Sequence, residues 1–177
     1  DFLGQAKDVV SRGFRVLLDK DDLLTGLGAL AAAAESAPTP LPDAAALLQA
    51  ASDFWYHAVW TAKHLRRGEL WWAKSGCDIH MKGLLRQVLE WDAALDGRDP
   101  WFRGRFLEEW ADPAVLARLP QAFAAYDEAD VWRALTVTMD LFADVARRVA
   151  ERRSLPYRSD VEERARQLVR SYRTVRR

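Results

Sequence analysis

Residues 43–95 read DAAALLQAASDFWYHAVWTAKHLRRGELWWAKSGCDIHMKGLLRQVLEWDAAL, and this stretch decides the fold. Ala44, Leu47, Leu48, Ala51, Trp55, Ala58, Ala62 and Leu65 recur at spacings of three and four, the period of one buried helical stripe. Asp43 is a good N-cap for that helix, and Gly68 ends it after about Arg67. A second helix is expected from about Glu69 to Leu95, with Ala73, Cys77, Leu84, Val88, Trp91 and Leu95 inward. The pairs Asp78/Lys82 and Arg86/Glu90 stand at i, i+4 and support its outer face.

Working outward, Gly97 and Pro100 break the pattern, and short helices are expected at 101–111 and 113–125, the second opened by Asp112-Pro113. A long helix follows over 127–153, and Pro156 separates it from a final basic helix at 159–174. Upstream, 2–12 reads as a short helix and FRVLLDKD (14–21) as a strand with a charged exit. One strand cannot satisfy its backbone alone, so it reads as the last piece of a sheet lying upstream. A short Ala-rich helix (27–35) precedes Pro38, Pro40 and Pro42. The expected fold class is all-α: an antiparallel helical bundle over 43–177, behind a remnant strand in 1–24 and a linker at 25–42.

A chain of 177 residues, half of them hydrophobic, buries a substantial core in one domain. Its net charge is zero, yet residues 147–177 hold eleven arginines against four acids, which leaves 1–146 at −7. Nucleic acid is therefore not the expected partner, and the middle of the chain favours a cationic ligand. Cys77 is the only cysteine, so an internal disulfide and a Cys-rich zinc framework are excluded. No apolar run approaches the length of a membrane span, and the expected location is the reducing cytoplasm. The chain begins with Asp rather than Met and reads as processed or as part of a longer protein.

Five of the eight tryptophans fall within 53–91, among carboxylates and lysines. That mixture suits a wall for something flat, polar and charged, because aromatic faces attract cations and pack on sugar rings. A Trp-heavy core is the other reading. Asp53, Tyr56, Trp60, Lys63 and Arg67 share a stripe distinct from the Ala/Leu stripe, and Glu69, Trp71, Trp72, Lys74 and Asp78 open the second helix. The HExxH and HxxxH patterns are absent, so no metal site is expected, although His57 and His64 share a face with Asp53. Asp19-Lys20-Asp21 has the carboxylate spacing used for magnesium but lacks its usual surroundings and reads as a strand exit.

FRVLLDKDDLL (14–24), DFWYHAVWTAKHLRRGELWWAK (53–74), LLRQVLEWDAAL (84–95) and VWRALTVTMDLFADVARRVA (131–150) together resemble the aminoglycoside 6-adenylyltransferases, the streptomycin-modifying enzymes. Asp53 and Tyr56 replace that family's commoner Glu and Trp, and Trp72 is a further departure. The resemblance implies transfer of AMP from ATP, with magnesium, to a hydroxyl of a cationic aminosugar antibiotic. It implies that the metal-binding catalytic core is an N-terminal nucleotidyltransferase domain, of which this chain carries only the last helix and strand, and that the helical part binds substrate. By the same resemblance Lys63 and Lys74 face the nucleotide phosphates, and Tyr56, Trp60 and Trp71 stack on sugar or base. Asp53, Glu69 and Asp78 hold the drug's cations or, for Asp53 and Glu69, act as general base. The alternatives are a helical partner of a separate minimal nucleotidyltransferase, as in toxin–antitoxin pairs, and a purely structural bundle that uses its Arg-rich tail for interaction.

Overall fold

The computed structural model describes residues 39–174 together with Leu17, Leu18 and Lys20. The chain divides into two units between Pro38 and Thr39, and the helices described below all belong to the second. The helices expected at 2–12 and 27–35 lie outside the described residues. So does most of the strand expected at 14–21; its described residues Leu17, Leu18 and Lys20 are exposed and in no regular element.

From Thr39 onward every regular element is helical. Helix α1 is Ala44–Arg66, capped by Asp43, whose side chain accepts from the Ala46 amide at 2.7 Å. Gly68, at φ +76°, makes the tight turn that follows. The expected second helix is three segments in series: α2 (Leu70–Ser75), a π-helical segment (Gly76–Met81) and α3 (Lys82–Leu95). The stretch expected as helices at 101–111 and 113–125 is more broken. It holds a 3-10 turn at Phe102–Gly104, α4 (Leu107–Trp110), α5 (Pro113–Arg118) and a 3-10 turn at Leu119–Ala122. Helix α6 is Glu128–Arg153, capped by Asp127, and α7 is Ser159–Thr174.

Residue pairs fix how these helices run. Trp60 meets Trp72 and Asp53 meets His80, so α1 and the α2–α3 rod form an antiparallel hairpin. Arg147 meets Glu162 and Asp140 meets Arg166, so α6 and α7 form a second one. Between the hairpins the sense is parallel: Lys82 reaches Thr138, Asp92 reaches Arg148, and Asp96 reaches Arg152. The connection from 96 to 127 crosses from one hairpin to the other and makes that possible. Helix α7 runs beside α1 in the same direction, with Arg166 over Trp55 and Arg66 over Tyr172.

The core lies where α1 and α6 meet. Phe54 and Phe142 stack with ring centroids 3.7 Å apart, Trp55 meets both edge-on, and Leu47, Met81, Leu85, Leu135 and Val145 close around them. Burying each large side chain contributes about 2–3 kcal/mol. Much of the basic tail is tied into the bundle by ion pairs. Arg147, Arg148, Arg152, Arg158 and Arg166 are all paired with carboxylates, most of them on other helices. No helix among the described residues is long and apolar enough to cross a membrane.

Candidate functional site

The stripe expected on α1 splits in two. At 100° per residue, Asp53, His57, Trp60 and His64 stay within one narrow sector, while Tyr56 and Lys63 are rotated away from it. The first set faces α2 and the π-helical segment. The second set faces α7.

On the α2 side, Asp53 has two imidazole neighbours. His57 Nδ1 is 2.9 Å from both the Asp53 carboxylate and its backbone carbonyl, and His80 Nε2 is 3.3 Å from the other carboxylate oxygen. The two rings face each other with centroids 3.7 Å apart. One turn further on, Trp60 packs against His64 and, edge-on, against Trp72, and His64 pairs with Glu69 at the mouth of the hairpin. Trp60 lies directly on the backbone of Gly76: a Cβ there would sit 2.6 Å from the indole Cζ3. The π-helical segment begins at this contact. Such segments recur at functional sites.

The other edge of the α2 rod faces the loop before α6. Trp71, 71% exposed, meets Tyr126 edge-on at 6.4 Å. Lys74 donates to Asp78 and to the Ala124 carbonyl, both at 2.5 Å. Lys82 donates to Thr138 at 2.7 Å and lies over the Phe123 ring, with Asp78 at 3.8 Å. Burial pushes the Lys82 ammonium below its ordinary value and the neighbouring Cys77 thiol above it. Trp71, Phe123 and Tyr126 are all exposed, so this rim carries apolar and aromatic surface beside Asp78; Trp72, also exposed, lies on the other edge against Trp60. A surface of that kind can hold a ligand with flat apolar faces and cationic edges.

A third region lies at the end of α1. Lys63, Arg66, Arg67 and Tyr172 line an open hollow of about 440 Å³. Three cations around one concavity suit a polyanion such as a chain of phosphates.

The expected residues are therefore distributed rather than gathered. Asp53 and Trp60 share the imidazole edge. Trp71, Lys74 and Asp78 share the opposite edge. Glu69 pairs with His64 on the imidazole side, Lys63 is in the basic hollow, and Tyr56 lines a mostly apolar groove against α7 with Val59, Val161 and Leu168. His80, Tyr126, Phe123 and Arg66 complete these groups and were not singled out by sequence. His80, Phe123 and Tyr126 come from other segments of the chain, so no local spacing carries them, whereas Arg66 stands three residues after Lys63 on α1 itself, a spacing the sequence did offer. An exposed aromatic in a short interhelical segment, as at Phe123 and Tyr126, was the signal available for those two.

The sequence profile of streptomycin adenylyltransferases matches residues 4–172. No curated protein is a significant match. Among solved structures, an aminoglycoside 6-adenyltransferase from Bacillus subtilis aligns with a TM-score of 0.68 at 18% identity, over 76% of this chain and 52% of that one. That likeness is one of fold, and this chain spans about half the length of the protein it matches. On the profile match, which covers nearly the whole sequence, the chain belongs to the streptomycin adenylyltransferase family.

Proposed function

We propose that this chain is the helical, substrate-binding portion of an aminoglycoside nucleotidyltransferase that transfers AMP from ATP to a drug hydroxyl. The observation that carries this reading, beside the family, is the rim of exposed aromatics with a carboxylate beside them: Trp71, Phe123 and Tyr126 near Asp78. Aminosugars are flat, polycationic and weakly apolar on their ring faces, and such a rim complements all three properties. Lys63, with Arg66 and Arg67, would take the nucleotide phosphates. Lys74 would do so only by leaving Asp78 and the Ala124 carbonyl, so Lys63 is the stronger phosphate residue.

In the transfer, the drug hydroxyl oxygen bonds to the α-phosphorus of ATP, the bond to pyrophosphate breaks, and the hydroxyl proton passes to a carboxylate. Asp53 and Glu69 are the carboxylates offered for that proton, and each already has an imidazole beside it. Magnesium, when bound, would neutralise phosphate charge. It requires oxygen-rich ligands, and the compact ligand group among the described residues, Asp53–His57–His80, is nitrogen-rich and does not fit it.

Thermal unfolding of the chain with streptomycin tests the reading, with kanamycin as control and with and without ATP. Selective stabilisation by streptomycin is expected, rising to about 2.7 kcal/mol at a hundred times its dissociation constant. The stabilisation should fall with Trp71→Ala, and more with Asp53→Ala than with Asp96→Ala, whose carboxylate pairs with Arg98 and Arg152. Equal effects of the two aspartate variants would remove the assignment of the drug site.

A further inference from the structure

We propose that Asp53, His57 and His80 form a binding site for a divalent transition-metal ion of the zinc class, distinct from the magnesium of the transfer reaction. One donor atom from each of the three residues lies within 4.8 Å of the other two. Asp53 and His57 are one turn apart on α1, and His80 comes from the π-helical segment opposite, so the three converge from two elements onto one point. The two imidazole rings pack on each other with centroids 3.7 Å apart, and each places one nitrogen beside an Asp53 carboxylate oxygen, at 2.9 Å for His57 and 3.3 Å for His80, which makes the three side chains one compact donor set.

The chemistry of the donors selects the ion. Imidazole nitrogen with one carboxylate suits zinc, cobalt, nickel or copper and not calcium or magnesium. Metal–ligand bonds of about 2.0–2.2 Å require the three donors to close by about an ångström from their present spread. Side-chain rotation allows this, because His80 and Asp53 lie toward solvent, with side chains 45% and 33% exposed. Three protein ligands leave a coordination position open to water or to a ligand. Cys77 does not compete for the ion, being buried and turned toward Lys82. Bound there, the ion ties α1 to the π-helical segment beside Trp60. It also occupies Asp53, which would leave Glu69 as the carboxylate for the drug hydroxyl. The site itself does not rest on the proposed transfer reaction.

Cobalt titration of the tag-free chain, followed by its visible absorption, tests the proposal, with thermal unfolding in zinc chloride as a second readout. One saturable equivalent per chain and a rise in Tm are expected. His80→Gln and His57→Gln, each checked for helicity by circular dichroism, should weaken uptake at least about tenfold and abolish the Tm rise. His64→Gln is the control: its ring pairs with Glu69, outside the group, and uptake should be unchanged. No saturable uptake, uptake undiminished in both His80→Gln and His57→Gln, or equal loss in His64→Gln would overturn the proposal. None of these readouts depends on streptomycin, so the proposal fails or stands apart from the drug-binding reading.

Discussion

Asp92 is the residue on which the two hairpins lean most. Its carboxylate is almost wholly buried and accepts two hydrogen bonds from Arg148, at 2.8 and 2.6 Å, with Arg152 a little further off. Arg148 is partly exposed and also lies 3.1 Å from Asp112, so the member that removal of its partner would strand away from water is Asp92. Arg148→Met is therefore expected to lower stability by about 3–5 kcal/mol in urea unfolding, with much of the loss recovered by adding Asp92→Asn. A loss below about 1 kcal/mol would show that the pair is better solvated than its geometry implies. Gly76 acts by what it lacks. Gly76→Ala drives a methyl into the Trp60 indole and is expected to cost about 1–3 kcal/mol, with a shift in tryptophan emission as that ring is displaced. Neither role was legible in the sequence. Asp92 sits on the expected second helix with its partner 56 positions away, and nothing near Gly76 announces an indole from another helix.

Helix α7 is held by a polar knot as well as by an apolar face, on which Val161, Ala165, Val169 and Tyr172 pack against the core. Glu162 accepts from Arg147, Arg166 and Tyr157, whose hydroxyl in turn accepts from the Trp55 indole N–H, and burial raises the Tyr157 phenol above its ordinary value. Burial also pushes Glu162 upward, but its three donors together outweigh this and hold the carboxyl below the usual 4.5. A carboxyl lowered in the folded state stabilises the fold above its unfolded pKa and loses that contribution as pH falls through the folded value. The stability gap between the wild type and Glu162→Gln should thus be full at pH 7 and shrink below about pH 4.5. Urea midpoints at pH 7 and pH 3.5 read this directly, and a constant gap would mean that Glu162 is not the acid-sensitive member of the knot. At this scale the sequence was most informative. The cap at Asp43, the stop at Gly68, the break at Pro156 and the three- and four-residue periodicity placed α1, α6 and α7 to within a residue or two, and Asp112-Pro113 marked the start of α5. The π-helical segment escaped because no residue spacing marks it and the indole packed at its first residue, Gly76, comes from α1; the 101–125 stretch escaped because its apolar residues follow no single period.

For the molecule as a whole, an all-α bundle was legible from periodicity alone, whereas the parallel sense of α3 with α6 and of α1 with α7 was not. Sequence neighbours pair antiparallel by default, and only the long crossover from 96 to 127 lets the second hairpin enter in the other sense. The candidate site shares this limit: its acids, indoles and lysines were visible, but not which helix edge each would occupy. Because α1 is closed on one side by the last helix, deleting residues after Ser154 should uncover Trp55. Such a chain is expected to bind a hydrophobic dye and to unfold without a sharp transition, whereas cooperative unfolding of it would make α7 dispensable. The same parallel closure has a consequence during synthesis. About a hundred residues separate the end of α1 from the end of α7, so a ribosome adding roughly 5–20 residues per second leaves the first helix waiting some 5–20 s for its final neighbour. Through that interval an indole-bearing face stands open in a crowded cell, and the nascent chain is a client for whatever shields it.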